Sequence, residues 1–380
     1  MALTARYVSD SGSATYAASV DPAQPMSLTT AFANMAAGDE IWIKKGNYTA
    51  RTSDTPLPDG GSASPIVLHG YNSVITDLDV PAYNLDGSLI TTNYPVIEYN
   101  QAARLVASGS NLIVYRNLKV GIAGSGFSGA GWALGASCVV HQCYVYNPST
   151  NAAAECLSVG ASGCIVNCDF ALTGASGGNA AVNCTSASAR VVGCRIIDSQ
   201  SVGITSNSNA LLVMNNIFFA AVVGPCIEYT ATAATTCTII GNTCQGKAIG
   251  FRCEAVTYTV LHYFADNHFT DMSTAGFLSL QDGTSQNPGC FISNRFRDNI
   301  INIDGWDDWA AATSFNHITT DTGGPETDYI DISTDQYTLI AGAPGAGAAT
   351  IRNRDIGALQ RAYNSAKGRI SNISKIIFPS

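Results

Sequence analysis

Residues 165–170 read IVNCDF, and this pattern of apolar residues followed by Asn or Cys returns throughout the middle of the chain. Seven further copies can be aligned between residues 111 and 296. The fourth position of each copy falls at 117, 143, 168, 194, 215, 242, 267 and 294, in steps of 21 to 27 residues. A period of that size predicts a repeat architecture.

Each copy alternates as a β-strand does. In the quoted copy, Val166, Cys168 and Phe170 fall on one side, because side chains two residues apart share a face of a strand. Most intervals hold a second strand pattern, and the segments between are rich in Gly, Ser, Asn and Ala without helical periodicity. These second strands lie at 182–184, 204–206, 226–228, 251–253 and 277–279. Two or three strands per repeat indicate an all-β parallel β-helix, not a leucine-rich repeat or a sheet with crossover helices.

Stacking explains why Asn and Cys recur at the fourth position. Turns of such a solenoid lie about 4.8 Å apart, so equivalent residues meet in columns. Asn at an internal bend can hydrogen-bond the backbone and the next Asn, whereas Cys packs there as a small apolar residue. We therefore predict a structural column, not a line of metal ligands, formed by Asn117, Cys143, Cys168, Cys194, Asn215, Asn242, Asn267 and Asn294.

Composition limits the function classes. The 380 residues carry a net charge of -9, and only 12% of them are charged, so a nucleic-acid partner is not expected. All twelve cysteines lie between 138 and 290, inside the repeat, which favours free buried thiols over disulfides or zinc. The first residues lack the apolar core of a secretory signal, and no run is apolar enough to span a membrane. We expect synthesis in the cytoplasm.

The ends of the chain differ from the repeat. Residues 1–50 predict a cap of strand, helix and strand, with Ser27 opening the helix, Leu28, Ala31, Phe32 and Met35 on its apolar face, and Gly38 ending it. Such a helix covers the open strand edge of the first turn. Residues 51–360 are predicted to form the β-helix. The tail at 361–380 has four basic residues and no acid, with apolar residues among them, and could cover the last turn or dock on a partner.

Segments at both ends of the β-helix have the features of a known family. At the start these are Tyr7-Val8-Ser9 with Gly12, the amphipathic helix, GDEIWI at 38–43 and GNYT at 46–49. At the end they are YTLI at 337–340, APGAG at 343–347 and DIGALQ at 355–360. The chain resembles the right-handed parallel β-helix proteins of the pectate-lyase-like superfamily over roughly residues 5–360. The resemblance implies a right-handed coil.

The resemblance also implies two kinds of catalytic site. Lyases of the superfamily hold Ca²⁺ with acidic residues from neighbouring turns and use Lys or Arg as base, whereas hydrolases use two or three aspartates on adjacent turns. The acids between residues 121 and 259 are Glu155, Asp169, Asp198, Glu228 and Glu254, and no two share a column in adjacent turns. Asp169 and Arg195 fall at equivalent outward positions, which predicts a surface ion pair of small energetic value.

Three clusters remain as candidate sites. A loop holding Asp304, Trp306, Asp307, Asp308 and Trp309 could grip a sugar ring, or its Trp side chains could pack on the solenoid wall. A second cluster, with Asp266, His268 and Arg295 as catalytic candidates, is either a solvated polar face or a catalytic group. A third cluster, Asp77, Asp79 and Asp86, would hold Ca²⁺ if the protein were a lyase; otherwise no cofactor is expected.

The scarcity of stacked carboxylates favours a non-catalytic structural or adhesion protein. The interpretation is a bacteriophage virion component, either a decoration or a tail-associated protein, that contacts other virion proteins or copies of itself through residues 361–380, and also a surface glycan. Neither a nucleic acid nor a membrane is expected as a partner. The alternative is a polysaccharide lyase or glycoside hydrolase acting on an acidic polysaccharide, which has only the family resemblance behind it.

Overall fold

The computed structural model shows the predicted fold, an all-β solenoid built of three parallel sheets. It describes residues 3–51, 55–84, 88–99, 105–106, 112–124, 126–174, 180–184, 188–197, 202–207, 210–219, 224–230, 237–253, 262–279, 289–292, 294–297, 301–304, 314–315, 318–321, 329–331 and 336–339. Only the backbone is described in 49–51, 55–56, 105–106, 262, 278–279 and beyond 288, except at Asn294.

Each turn of the solenoid visits the three sheets in the same order. Sheet A comprises β1 Thr4–Val8, β2 Asp39–Lys44, β5 Ile66–Tyr71, β8 Ile113–Arg116, β11 Val139–His141, β14 Cys164–Val166, β17 Ala189–Val192, β20 Leu211–Met214, β23 Cys237–Ile240, β26 His262–Ala265, β29 Gly289–Ile292 and β32 Ser314–Phe315. Sheet B comprises β3 Asn47–Arg51, β6 Val96–Tyr99, β9 Lys119–Ile122, β12 Tyr144–Asn147, β15 Asp169–Leu172, β18 Arg195–Ile197, β21 Ile217–Phe218, β24 Thr243–Gln245, β27 His268–Thr270, β30 Arg295–Arg297 and β33 Ile318–Asp321. Sheet C comprises β4 Thr55–Pro56, β7 Leu105–Val106, β10 Gly129–Ala133, β13 Ala154–Val159, β16 Ala180–Cys184, β19 Val202–Ser206, β22 Pro225–Tyr229, β25 Ile249–Cys253, β28 Ala275–Ser279 and β31 Ile301–Asp304. A last antiparallel pair joins β34 Tyr329–Asp331 to β35 Gln336–Leu339.

The N-terminal helix begins at the predicted Ser27 cap but ends at Asn34, earlier than the predicted end at Gly38. Helix α1 spans Leu28–Asn34, and its N-cap Ser27 accepts the backbone N–H of Thr30 at 3.1 Å. That bond satisfies one of the N–H groups that a first helical turn leaves unpaired. Leu28, Ala31 and Phe32 are buried in the same apolar cluster as the interior of the first turns. A short 3₁₀ helix at Ala18–Val20 precedes α1.

The internal column is present, with two members displaced by one residue. Hydrogen bonds and strand register place Leu118, Cys143, Cys168, Cys194, Asn216, Asn242, Asn267 and Asn294 in single file. The prediction was therefore wrong for Asn117 and Asn215. Those two residues precede the column and lie at the bend between sheets A and B, with φ of 55° and 56°. Six of the eight predicted members are confirmed.

Asn side chains in the column are linked along the solenoid axis. Asn216 Nδ2 donates to Asn242 Oδ1 at 3.0 Å, Asn242 Nδ2 to Asn267 Oδ1 at 3.0 Å, and Asn267 Nδ2 to Asn294 Oδ1 at 2.9 Å. Each Oδ1 also accepts the backbone N–H of the preceding column residue, from Cys194 to Asn267. Between Cys194 and Asn294 the Asn side chains thus satisfy backbone N–H groups at the bends, which a solenoid would otherwise leave unpaired.

The bend before the column requires a left-handed backbone on seven successive turns. Its residues have φ between 53° and 64° and are Asn117, Gln142, Asn167, Gly193, Asn215, Gly241 and Asp266. Glycine and asparagine adopt this conformation at low cost, which explains their frequency here.

Gly241 lies at this bend and Gly246 follows β24, and because both have a left-handed backbone they separate the backbone cost of adding a Cβ from its packing cost. A Cβ at Gly241 (φ 64°) would lie 2.4 Å from Asn215 Oδ1, whereas one at Gly246 (φ 69°) would meet no atom within 4 Å. We expect Gly246→Ala to lower the free energy of unfolding by about 1 kcal/mol through the backbone alone, and Gly241→Ala by about 2–3 kcal/mol. Urea denaturation measures both. Equal losses of unfolding free energy in the two variants would show that contact between the added Cβ and Asn215 Oδ1 does not destabilise the fold.

The thiols have the predicted state. All eleven cysteines whose side chains are described are free and buried. Burial raises the pKa of the Cys138 and Cys164 thiols to about 11 and that of Cys184 to about 12. These thiols therefore stay protonated at neutral pH and act as core residues.

Candidate functional site

The outer face of sheet C carries a row of polar side chains on successive strands. Strand register aligns Ser158, Asn183, Thr205, Glu228 and Arg252. The residues immediately before them, from Leu157 to Phe251, are fully buried inside the solenoid. Because side chains alternate along a strand, the five polar residues lie on the outside, and we call them the polar row.

Hydrogen bonds join the polar row into two groups. Asn183 Nδ2 donates to Glu155 Oε1 at 2.8 Å. Thr205 Oγ1 donates to Glu228 Oε2 at 3.4 Å, and the Arg252 guanidinium forms an ion pair with Glu228 Oε1. The Glu228 side chain is largely buried, while Arg252 and Asn183 are half-buried. The row therefore holds an amide, a hydroxyl, a carboxylate and a guanidinium on four successive strands, about 4.8 Å apart along the axis.

The carboxylates of this face are too far apart for sugar-bond hydrolysis. Glu155 on β13 and Glu228 on β22 are separated by three strand spacings in sheet C, or about 14 Å. Paired carboxyl groups of glycosidases lie about 5–9.5 Å apart. Glu228 is in addition neutralised by Arg252. On the described residues of this face, the arrangement can donate and accept hydrogen bonds but offers no pair for acid–base catalysis.

The predicted sugar-binding loop begins in line with the polar row. Asp304 is the last residue of β31, and the register continues from Arg252 through Leu278 to Asp304. Trp306, Asp307, Asp308 and Trp309 lie outside the described residues. The structure thus places the start of this loop at the C-terminal end of the row, and its sugar-binding role stays a prediction.

The catalytic candidates lie at the junction of sheets A and B. His268 and Arg295 are register partners in sheet B, as the sequence predicts. His268 is fully buried, so a solvated face is the wrong description of this residue. Asp266 occupies the left-handed bend (φ 54°) and is also buried. Their catalytic role remains untested, but neither described side chain is open to a polymer in solvent.

The predicted surface pair of Asp169 and Arg195 is covered. The two residues are register partners, yet they are only 1% and 4% exposed. The backbone N–H of Leu89, from the long connection between β5 and β6, donates to Asp169 Oδ2 at 2.7 Å. The pair is therefore internal, because a connection from another turn lies over it.

The described aspartates that were predicted to hold Ca²⁺ make other interactions. Asp77 Oδ1 accepts the N–H of Asn72, and Oδ2 accepts those of Ser73 and Val74, at 2.8–3.1 Å. Partial burial raises the pKa of Asp77, but these bonds outweigh it and lower the pKa below its usual value. Burial raises the pKa of Asp79, against the effect of Arg116. Asp86 lies outside the described residues. Across the described side chains, no group of three His, Cys, Asp or Glu could hold a metal ion.

A second polar cluster, which the sequence did not suggest, lies on the outer face of sheet A. Trp42, His69, Arg116 and His141 are consecutive register partners on β2, β5, β8 and β11. The Trp42 and His69 rings stack with centroids 4.3 Å apart, and His69 Nε2 lies 3.1 Å from Glu40 Oε1. Both nitrogens of His141 are buried without a hydrogen-bond partner. Only the exact register, which brings together residues 25 to 47 positions apart, could have revealed this cluster.

Comparison with solved structures agrees with this geometry. The chain is similar to the pectate lyase Pel9A, with a TM-score of 0.57 and 12% identity over 92% of each chain. It is also similar to a rhamnogalacturonan lyase, with a TM-score of 0.55 and 13% identity over 87% of this chain and 91% of the other. The chain has the right-handed parallel β-helix fold of these two lyases. At such low identity the likeness of this β-helix to the two lyases concerns the fold alone.

Sequence comparisons add nothing to the structural ones. No family model and no curated protein sequence matches the β-helix chain. In the described part of the chain, no helix is both long and apolar enough to cross a membrane.

Proposed function

We propose that this β-helix is a non-catalytic structural and adhesion protein that binds a glycan through the polar row of sheet C. The observation that carries the proposal is the ion pair between Glu228 and Arg252 beside Thr205. It keeps a guanidinium, a carboxylate and a hydroxyl in place on an outer face, as hydrogen-bonding to sugar hydroxyls requires. The large distance between Glu155 and Glu228 argues against a hydrolase on this face.

The charge of the protein favours a neutral glycan. Its net charge is -9, which repels polyuronates at moderate ionic strength. Within the polar row itself the charges of Glu228 and Arg252 balance. We therefore expect hydroxyl groups rather than carboxylates as the groups recognised.

The setting we propose is the virion of a bacterial virus, as a decoration or tail-associated protein. The eleven buried free thiols support assembly in a reducing compartment, where such particles form. The three stacked sheets, without interruption from β1 to β32, supply a rod that can hold a binding face at a distance from a particle.

Binding assays with variants of the row test the proposal. We expect Arg252→Gln to weaken the affinity for a bound neutral polysaccharide about 10- to 100-fold, because a hydrogen bond to a charged group contributes about 1.5–3 kcal/mol. Isothermal titration calorimetry measures the affinity, and thermal unfolding confirms that the variant is folded. Arg190→Gln, on sheet A, is the matched control and should bind as the wild type does.

A parallel assay for turnover separates binding from catalysis. Neutral and uronate polymers are incubated with the protein, with and without Ca²⁺, and unsaturated products and reducing ends are followed. No turnover is expected. Turnover that is lost in Asp266→Asn or His268→Gln would overturn the proposal in favour of a polysaccharide lyase or hydrolase.

A further inference from the structure

Buried polar atoms without hydrogen-bond partners gather on the outer face of sheet A. Four of them, His69 Nδ1, Arg116 Nε and both ring nitrogens of His141, have no partner among the described residues. They belong to register partners on β5, β8 and β11, so the three side chains follow one another about 4.8 Å apart. Most buried polar groups of proteins are hydrogen-bonded, so unsatisfied atoms on three consecutive strands indicate a binding site. We call His69, Arg116 and His141 the histidine cluster.

The protonation of the two rings fixes which of these atoms donate. Burial lowers the pKa of both imidazoles to about 3, so each ring is neutral at neutral pH and carries one N–H. His69 Nε2 lies 3.1 Å from Glu40 Oε1, and because a carboxylate only accepts, the proton is on Nε2 and Nδ1 is an acceptor. His141 offers one donor and one acceptor, and Arg116 Nε–H is a donor. The histidine cluster therefore presents two donors and two acceptors.

This balance excludes two simple ligands. Sulfate or a carboxylate can accept from Arg116 and His141, but its negative charge would face the two ring lone pairs. A metal ion would bind those lone pairs at about 2.1 Å, whereas the His69 and His141 backbones lie two strand spacings, about 9.6 Å, apart with the Arg116 charge between them. A hydroxyl group both donates and accepts, so hydroxyl groups can satisfy all of these atoms.

An apolar strip runs beside the histidine cluster. Val67, Val114 and Val139 stand two residues before its members and share the outer face, because side chains alternate along a strand. They are 3–8% exposed and belong to one apolar cluster. Trp42 lies at the β2 end and stacks on His69, with ring centroids 4.3 Å apart. The face thus pairs an apolar strip with a line of hydrogen-bonding groups, and a sugar ring likewise pairs C–H faces with hydroxyl edges.

The surroundings of Arg116 suit a neutral ligand and give access to it. Asp79 is exposed and close enough for its charge to interact with that of Arg116, so the guanidinium does not require an anion from solution. The Arg116 side chain is half-buried, whereas His69 and His141 are 5% and 8% exposed. A ligand therefore reaches the two rings from the side of Arg116.

We propose that the histidine cluster binds the hydroxyl groups of a neutral sugar or polyol. One hydroxyl group accepts from Arg116 Nε and donates to His69 Nδ1, and its neighbours on the ligand hydrogen-bond the ring of His141. The carbon atoms of the ligand lie on the valine strip. The site is on sheet A and the polar row is on sheet C, so this proposal does not depend on glycan binding by the polar row.

Nuclear magnetic resonance of the histidine rings tests the proposal. The wild type, at about pH 7.5, is titrated with glycerol, glucose, galactose or mannose, each to about 100 mM, which fills a site with a Kd of about 1 mM. At least one of these probes should give saturable shifts of the His69 and His141 ring signals. The His268 ring, which is fully buried on sheet B, is the internal control and should not shift.

Two variants assign the binding to this site. His141→Leu removes one donor and one acceptor and should weaken binding at least tenfold, as followed on the His69 signals. The variant should fold, because it replaces a buried polar ring that has no hydrogen-bond partner among the described residues. Arg252→Gln, in the polar row of sheet C, is the matched control and should bind the probe as the wild type does.

Three results contradict the proposal. Absence of saturable shifts with every probe would assign ordered water to the histidine cluster. Shifts with sodium sulfate or zinc chloride and none with the sugars would assign an anion or a metal ion. Equal affinities of the wild type and His141→Leu would place the sugar elsewhere on the molecule. None of these results bears on the polar row, because Arg252→Gln tests that row with a polysaccharide in a separate assay.

Discussion

Replacing Asn242 by alanine should lower the free energy of unfolding by about 4 kcal/mol or more. The Asn242 side chain is fully buried and takes part in four hydrogen bonds. Its Oδ1 accepts from the backbone and side chain of Asn216, and its Nδ2 donates to Val213 O and Asn267 Oδ1. Alanine leaves these partners in a dry interior, where each unsatisfied group costs about 1–3 kcal/mol.

Cys168→Ala is the matched control in the same column. Cys168 is equally buried, and its thiol makes long contacts of 3.3–3.5 Å with Val140 O, Val166 O and the Cys143 N–H, which are weaker than the amide hydrogen bonds of Asn242. We expect a loss of about 1–2 kcal/mol from packing. Urea denaturation followed by circular dichroism measures both variants. A loss for Asn242→Ala no greater than that for Cys168→Ala would show that the Asn bonds do not stabilise the fold.

The repeat could be predicted from sequence because the interior is periodic. Inward residues of each turn pack on the equivalent residues of the next turn, so similar apolar residues recur in the sequence at the length of one turn. The one-residue error at Asn215 has a physical origin. Asparagine suits both the left-handed bend at 215 and the hydrogen-bonded column at 216, and composition alone does not separate the two. At the first copy the bend is Asn117 and the column residue is Leu118.

The outer faces could not be predicted to the same depth. Glu228 and Arg252 lie on adjacent turns, but they are 24 residues apart in sequence, and only the exact strand register shows that they pair. Asp169 was correctly placed opposite Arg195, but its burial depends on the path of the β5–β6 connection. Long connections lie outside the period, so the repeat carries no information about what they cover.

Acid should destabilise the protein steeply through His69 and His141. Burial lowers the pKa of both imidazoles from 6.5 to about 3, and the positive charge of Arg116 adds to the effect. Glu40 lies within hydrogen-bond distance of His69, which would favour the charged form, but its side chain is 26% exposed and water screens it. Neutral His69 can still donate this hydrogen bond, so the two observations agree.

The direction of the pH dependence of stability follows from comparing the folded and unfolded chains. Above pH 6.5 the two histidines are neutral in both the folded and the unfolded chain, so their protonation does not affect stability. Between pH 6.5 and about 3 the unfolded chain binds a proton that the folded chain excludes, so stability falls as the pH falls. Each histidine contributes about 1.4 kcal/mol per pH unit, and the two together about 2.7 kcal/mol.

Substitution of one histidine isolates this contribution from that of the carboxyl groups. The variant His141→Leu should lose about half of the histidine-dependent slope between pH 6 and 4, while its stability at pH 7.5 reports the packing change alone. Urea denaturation at a series of pH values gives both slopes. The ring protons of His69 and His141 in a nuclear magnetic resonance titration should stay unshifted down to about pH 4. Midpoints near 6.5 would show that solvent reaches both rings and that no acid sensitivity arises there.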